Sequence, residues 1–175
     1  GGAGANLFTI DADSGVVTLT GALNYEATNS YSFSTRITDA DGLFDNATLT
    51  ITVTDINEAP VLDDAQATVA ENAPNGTVVT TVSGADVDAG DTLSYAITGG
   101  AGADLFAINA NTGAVTVAGP IDFELMDAYT LIIQASDGDL NEQATLTIGV
   151  TDVNEAPVLD DAQATVAENA PNGTV

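Results

Sequence analysis

The sequence predicts an all-β protein built from seven-stranded Greek-key β-sandwiches joined end to end. Short segments rich in Thr and Val alternate between apolar and polar residues, which is the two-residue period of a strand. No segment shows helical spacing over a useful length. A unit of about 97 residues recurs along the chain, which is close to the length of one such sandwich.

The repeat divides the chain into three parts. The segment "VLDDAQATVAENAPNGTV" at 61–78 recurs without change at 158–175, and "VTDINEAP" at 53–60 returns as "VTDVNEAP" at 150–157. We therefore expect the C-terminal part of one repeat at 1–60, a complete repeat at 61–157 and the first strand of a following repeat at 158–175. The chain begins and ends within this pattern, so we expect any targeting signal to lie outside it.

Seven strand-like runs follow one another in the complete repeat. The fourth and fifth runs flank "ANTG", whose residues suit the tight turn of a hairpin. In order, the predicted strands are 65–71, 76–84, 93–98, 105–109, 114–119, 128–136 and 143–152.

The last two runs carry the clearest alternation. We expect one face of each to be buried, with Tyr129, Leu131, Ile133 and Ala135 on one strand and Ala144, Leu146, Ile148 and Val150 on the other. Seven short strands in about 97 residues indicate a sandwich of immunoglobulin-like architecture.

Composition restricts the chemistry of this chain. It has 175 residues with 26 acids, one base and a formal net charge of −25, so nucleic acid and anionic lipid are poor partners. Without His or Cys, the chain lacks the commonest general base, a nucleophilic thiol and a zinc-thiolate site. Carboxylate, amide and carbonyl oxygens remain, and they are the ligands of a hard cation such as Ca2+. The same acidity would also suit a high-salt habitat.

One stretch, "GGAGADLFA" at 99–107, fits the calcium-binding nonapeptide G-G-x-G-x-D-x-U-x of repeats-in-toxin β-rolls. A β-roll needs such nonapeptides in tandem, whereas the one near-copy, "GGAGANLFT", begins at Gly1. We therefore interpret the stretch as a loop and strand start, whose glycines permit a turn with positive φ.

The acidic motifs of the complete repeat resemble those of a cadherin repeat. They occur in the order "AEN", "DVD", "IDFE", "ASDGD" and "DVNEAP", where a cadherin repeat has x-E-x, D-x-D, L-D-R-E, A-x-D and D-x-N-D-N-x-P. The likeness covers 61–157 and both flanks. The ending D-x-N-E-A-P looks most like that of cadherin-like domains in large bacterial surface adhesins.

The resemblance implies that Ca2+ binds where successive repeats meet. At the first junction, the ligands implied are Glu26, Asp55, Asn57, Glu58, Asp86, Asp88 and Asp137. Their six carboxylates would balance three divalent ions. At the second junction, the half within this chain is Glu71, Asp122, Glu124, Asp152, Asn154 and Glu155.

The chain departs from the cadherin pattern at two places. Asn24 stands where the L-D-R-E motif has Asp, and D-x-N-E-A-P is one residue shorter than D-x-N-D-N-x-P, so the second Asn is missing. The first departure weakens one ligand of the first junction, and the second removes one.

The resemblance implies an extracellular, cell-surface location and a structural role. We expect calcium-stiffened repeats that support adhesion, with neighbouring repeats of the same chain as their partners. Like repeats on other chains and cell-surface glycans are further candidate partners. No segment of the sequence is an apolar run long enough to enter a membrane. A glycan-binding module and a self-assembling filament or sheath remain alternatives. We expect no enzymatic activity, because the recurring acid pairs are already explained by the junctions.

Overall fold

A computed structural model describes residues 4–173, and nearly all of its regular secondary structure is β-strand. The first part contains four strands, β1 Phe8–Ile10, β2 Val17–Leu19, β3 Ser30–Thr38 and β4 Phe44–Thr52. The complete repeat contains seven, namely β5 Ala65–Ala70, β6 Val78–Thr81, β7 Ser94–Gly99, β8 Phe106–Ile108, β9 Ala114–Val117, β10 Ala128–Ser136 and β11 Asn141–Thr151. The helical segments of the described range are two single 3-10 turns, Ala5–Leu7 and Ala103–Leu105.

The seven strands of the complete repeat form two sheets. One has the order β5-β11-β10-β7, and the other has the order β6-β9-β8. Strand β5 runs parallel to β11, whereas the other pairs are antiparallel. This arrangement is that of an immunoglobulin-like Greek-key sandwich, so the predicted fold class is confirmed.

The core lies between these sheets and is built from the residues that the alternation predicted. Leu131, Ile133, Leu146 and Ile148 are almost completely inaccessible to solvent. Burying a Leu or Ile side chain contributes about 1.5–3 kcal/mol, so these two strands supply much of the stability. The pairing Leu131↔Leu146 places both side chains on the same buried face.

The second predicted strand is shorter than the sequence indicated. It covers Val78–Thr81 instead of 76–84, and the chain after it turns towards Val61 at the start of the repeat. Val61 and Ala85 form a two-bond bridge there, and the Gly84 amide donates to the Tyr95 hydroxyl at 2.9 Å. Beyond the end of the strand, the Tyr95 hydroxyl and the Val61 carbonyl thus accept the amides of Gly84 and Ala85.

The predicted hairpin turn over "ANTG" is present. The Asn109 side chain accepts hydrogen bonds from the amides of Asn111 and Thr112, both at 3.0 Å, and Gly113 has a φ of 68°. Such a side-chain-capped turn explains why Asn and Gly occur here.

The glycine-rich stretch at 99–107 forms a turn that leads into β8. Gly100 and Gly102 have φ values of 107° and 97°, and the single 3-10 turn Ala103–Leu105 follows. The stretch is therefore a strand connection, as the sequence interpretation proposed. The near-copy begins at Gly1 and Gly2, which lie outside the described residues.

The first part of the chain, from residue 4 to 60, forms two hairpins that pack through aromatic rings. Strand β1 pairs with β2, and β3 pairs with β4. The Phe8 ring meets Tyr31 and Phe33 edge-on, with centroids 5.3 and 5.2 Å apart.

The segment 158–173 has the same letters as 61–76 but forms no strand. In the complete repeat, those letters become β5 because they pair with β11. Among the described residues, 158–173 has no such partner, and Val158 and Leu159 are exposed. Its assignment to a following repeat stays a prediction.

No helix within residues 4–173 has the length and apolar character needed to cross a membrane.

Candidate metal centre

Acidic side chains gather at both ends of the complete repeat. At the first end, they come from the β2–β3 loop (Glu26), the linker after β4 (Asp55 to Glu58), the β6–β7 loop (Asp86 to Asp91) and the residue that follows β10 (Asp137). Loops from two successive units therefore supply one site.

The first cluster spans the boundary between the two units. Glu26, Asp55 and Glu58 from the first part and Asp88 from the complete repeat each place one carboxylate oxygen within 4.8 Å of the others. The Glu58 amide donates to Asp88 Oδ2 at 2.9 Å, so the linker backbone fixes this carboxylate. The arrangement brings four negative charges together without a base among them.

A second group of acids shares Asp88 with the first cluster. Asp86, Asp88 and Asp91 also place one carboxylate oxygen each within 4.8 Å of one another. The Asp88 amide donates to Asp86 Oδ1 at 3.0 Å, which orients the two side chains in one loop. Asp88 is therefore a member of both acidic groups.

Two carboxylate oxygens in this loop are buried and lack a donor. Within the described part of the chain, Asp86 Oδ2 and Asp88 Oδ1 have almost no exposed surface and no hydrogen-bond partner. A buried charged oxygen without a partner is costly, and a cation would satisfy both. The oxygen-rich donor set also matches the preference of Ca2+, so the residues fit this ion.

Asp137 and Asn57 form a direct contact across the same boundary. The Asn57 Nδ2 donates to Asp137 Oδ2 at 2.9 Å, and within residues 4–173 the Asn57 amide oxygen accepts no hydrogen bond. The amides of Asp139 and Leu140 donate to Asp137 Oδ1, each at 2.7 Å. The hydrogen bond from Asn57, followed by that from the Leu140 amide, holds the pKa of Asp137 below its ordinary value.

Crowding of like charges affects two other acids. Burial, followed by the charges of Glu26, Asp88 and Asp55, raises the pKa of Glu58. Burial and the charges of Asp88, Asp86 and Asp137 raise the pKa of Asp91. Burial and the neighbouring charges thus both favour the neutral forms of these acids, whereas a divalent cation nearby would favour the charged forms.

The other end of the complete repeat carries a separate cluster. Glu71, Glu124, Asp152 and Glu155 each place one carboxylate oxygen within 4.8 Å of the others. Glu71 is only 3% exposed, and its carboxylate accepts hydrogen bonds from the amides of Val153 at 2.7 Å and Phe123 at 2.9 Å. Glu71 thus joins the β9–β10 loop to the linker after β11.

Asp122, which was also expected at this end, lies outside this cluster of four carboxylates. The Asp122 Oδ1 accepts the Leu125 amide at 2.9 Å and holds a turn, although the side chain lines the same depression as Glu71 and Glu124. The Asn154 Nδ2 donates to the backbone carbonyl of Glu155 at 3.4 Å.

Sequence reasoning missed two residues of these sites. Asp91 joins Asp86 and Asp88, and the letters "DVDAGD" carry the signal, since three acids surround a glycine in one short loop. Asn72 has a φ of 57° and donates to Glu155 Oε1 at 2.6 Å. Its position directly after Glu71 is the sequence feature that could have indicated a role for Asn72 at this site. Its contact with Glu155 depends on the fold.

Fold and sites together define a class of protein, namely β-sandwich repeats with acidic clusters at their ends. The sequence profile of the family described as "Cadherin domain" matches residues 1–54 and 65–151. The chain therefore belongs to the cadherin domain family, whose members bind Ca2+ in general.

Individual relatives support this assignment. The chain is 39% identical to human Protocadherin-23 over 175 residues, which cover 95% of this chain. It is 36% identical to the Protocadherin-like wing polarity protein stan of Drosophila melanogaster, over 91% of this chain. The matched region spans only 5% of the length of each relative.

A solved structure has the same arrangement of strands. The crystal structure of mouse Cadherin-23 EC22-24 matches 87% of this chain and 52% of that chain, with a TM-score of 0.69 and 26% identity.

Proposed function

We propose that this chain is a calcium-stiffened repeat of an extracellular adhesion protein. The main observation behind this proposal is that the Asp88 carboxylate belongs to both acidic groups at the first junction. Asp55, Asn57 and Glu58 stand on the linker and Glu26 on the unit before it, whereas Asp86, Asp88, Asp91 and Asp137 stand on the complete repeat. A cation held between them would tie the two units together.

The proposal assigns ligands to both junctions. The first would use the seven residues expected from the sequence together with Asp91. The second would use the available half at Glu71, Glu124, Asp152 and Glu155, with Asp122 and Asn154 at its margin. The proposed units are 1–60, 61–157 and a further repeat that starts at 158.

The proposed stiffness of the junction follows from the repulsion between its carboxylates. Without cations, the carboxylates of adjacent units repel one another and the linker can bend. With cations bridging them, the angle between units becomes fixed, because each ion needs oxygen ligands from both sides. Rigid repeats in series would project an adhesive surface away from the cell, with neighbouring repeats as the immediate partners.

Two finer assignments belong to this proposal. The ending D-x-N-E-A-P favours a bacterial surface adhesin, in which such repeats would support attachment or a biofilm, although the relatives described above come from human and fly. Like repeats on other chains are the second partner class. Glycan binding and assembly into a filament remain alternatives without a specific structural observation in their favour.

Calorimetric titration with Ca2+ tests the proposed ligands. Replacing Asp86 and Asp88 together (Asp86→Asn, Asp88→Asn) should abolish the tightest binding and the calcium-dependent rise in melting temperature. A ligand present at a hundred times its Kd stabilises the native state by about 2.7 kcal/mol, so the loss is measurable.

A charge-matched control separates specific binding from general electrostatics. Asp13→Asn with Asp63→Asn removes the same two charges from exposed acids outside the clusters. This variant should bind Ca2+ as the original chain does. Equal loss of binding in both double variants would show that Ca2+ only screens a negative surface, which would contradict the proposal.

A further inference from the structure

The turn between β5 and β6 contains one of the two Asn-Gly pairs of the sequence, Asn75–Gly76. In such a pair, the backbone nitrogen of the second residue can attack the side-chain amide of the first, and glycine hinders this attack least because it has no Cβ. We infer that Asn75 is a latent site of spontaneous deamidation, which the folded sandwich protects and the opened repeat exposes. The inference goes beyond the proposed function and does not depend on calcium binding.

The reaction needs only water as a co-reactant. The Gly76 nitrogen forms a bond to Asn75 Cγ, and the bond between Cγ and Nδ2 breaks. The Gly76 nitrogen loses its proton, the departing nitrogen gains one and leaves as ammonia, and a five-membered succinimide ring remains. Water then opens the ring at either carbonyl, which leaves Asp or isoaspartate at position 75. Both products carry a carboxylate in place of the amide.

Two backbone hydrogen bonds hold the turn in a geometry that opposes this attack. The Gly76 amide donates to the Val117 carbonyl at 2.7 Å, and the Val117 amide donates to the Thr77 carbonyl at 3.0 Å. Val117 is only 2% exposed, so its backbone is fixed in the core of the sandwich. The attacking nitrogen must lose its proton and turn towards Cγ, and both changes require its hydrogen bond to Val117 to break.

The backbone of the turn controls the reaction, because the side chain of Asn75 is unrestrained. Asn75 is exposed, and within residues 4–173 its side chain has no hydrogen-bond partner. The backbone, in contrast, is held a second time, since the Thr77 hydroxyl donates to the Pro74 carbonyl at 2.7 Å and the Thr77 amide donates to the same oxygen at 3.1 Å. Ring closure therefore has to wait until the turn opens.

The second Asn-Gly pair provides an internal comparison with the same neighbours. Residues 73–78 and 170–175 both read Ala-Pro-Asn-Gly-Thr-Val, so the local sequence of the two sites is the same. In the described part of the chain, the Gly173 amide has no hydrogen-bond acceptor, and the segment 158–173 joins no sheet. We expect Asn172 to react at least about tenfold faster than Asn75 in the folded chain, as the loss of one backbone hydrogen bond implies.

Isoaspartate at position 75 would change how the turn fits the sheet. The main chain would run through the former side-chain carbon, which adds one atom to the backbone between Pro74 and Gly76. The two hydrogen bonds to Val117 could then not form together at the spacing of the native turn. A repeat that has reacted while open would therefore close less well, and the modification would remain as a record of the opening.

The experiment uses the whole 175-residue chain with Ca2+ in mildly alkaline buffer, once folded and once unfolded in guanidinium chloride. Cleavage after Glu in mildly acidic buffer gives the peptides 72–124 and 169–175, each of which contains one Asn-Gly pair. Mass spectrometry follows the mass gain of deamidation at each Asn over time. We expect Asn172 to react first in the folded chain and both sites to react at the same rate in guanidinium. Equal rates in the folded chain, unequal rates in guanidinium, or no reaction at Asn75 in guanidinium would each overturn the inference.

A single variant loosens the turn without changing the Asn-Gly pair. Thr77→Val keeps the side-chain shape and removes the hydroxyl bond to Pro74, so Asn75 should react about two- to tenfold faster in the folded chain. Thr174→Val makes the same change in the second copy and should leave the rate at Asn75 unchanged. Rates in guanidinium correct for any effect of Val on the unfolded chain. No acceleration at Asn75 in folded Thr77→Val would show that the turn does not control the reaction, which would contradict the inference.

Discussion

Glu71 shows how one side chain can serve both folding and a metal site. Its carboxylate accepts the amides of Phe123 and Val153, so it connects two segments that are more than 50 residues away from it in the chain. These hydrogen bonds, with the one from Phe123 contributing most, hold the pKa of Glu71 below its ordinary value of 4.5. The same oxygens face the acids of the second cluster.

Replacing Glu71 by Gln should destabilise the repeat even when Ca2+ is removed by chelator. A Gln side chain has one acceptor oxygen, so it leaves one of the two backbone amides opposite an NH2 group. We expect the melting temperature to fall by on the order of 5 °C. Glu142→Gln makes the same chemical change at an exposed position of β11 and should have little effect.

The pH dependence of this difference has a definite sign. Because folding lowers the pKa of Glu71, its contribution to stability is complete above the pKa of the unfolded chain and is lost as the pH falls through the folded pKa. The melting-temperature difference between the original chain and Glu71→Gln should be largest above about pH 5 and should shrink in more acidic buffer. A constant difference down to strongly acidic pH would contradict this role.

At the scale of elements, the glycine-rich connection before β8 depends on close backbone approach. A Cβ on Gly100 would lie 2.1 Å from the Thr130 carbonyl oxygen and 2.7 Å from Leu131 Cα. The stretch that resembles a calcium nonapeptide is therefore explained by packing against β10.

A pair of glycine variants separates this clash from backbone strain. Gly100 and Gly138 have similar φ values, 107° and 115°, but a Cβ on Gly138 would meet nothing within 4 Å. We expect Gly138→Ala to cost about 1–2 kcal/mol and Gly100→Ala to cost on the order of 3 kcal/mol or more in urea unfolding with Ca2+ present. Equal costs would show that φ alone requires glycine at Gly100.

At the scale of the whole molecule, charge and shape are linked. The net charge of −25 acts against compaction, and part of it is concentrated where the two units meet. Divalent cations at that boundary would reduce the repulsion and fix the angle between the units.

Small-angle scattering measures this effect directly. In Ca2+, the chain should give one narrow distribution of distances with a sharp maximum length. In chelator, the distribution should broaden as the first junction bends, while circular dichroism still reports folded β-structure. Identical scattering curves in both buffers would contradict the proposed stiffening, and loss of β-structure in chelator would show a folding role instead.

The sequence alone determined the strands, the repeat and the resemblance to cadherins. This information is local: the two-residue period of Tyr129 to Ala135 sets the buried face of β10, and the recurrence of acids after about 97 residues marks the ends of each unit.

The tertiary structure decided which of these acids meet. Asp91 joins the first site while Asp122 holds a turn beside the second, because such contacts depend on how separate loops fold against each other. In the same way, identical letters form β5 at 65–70 and no strand at 162–167, since a strand exists only where a neighbouring strand takes up its hydrogen bonds.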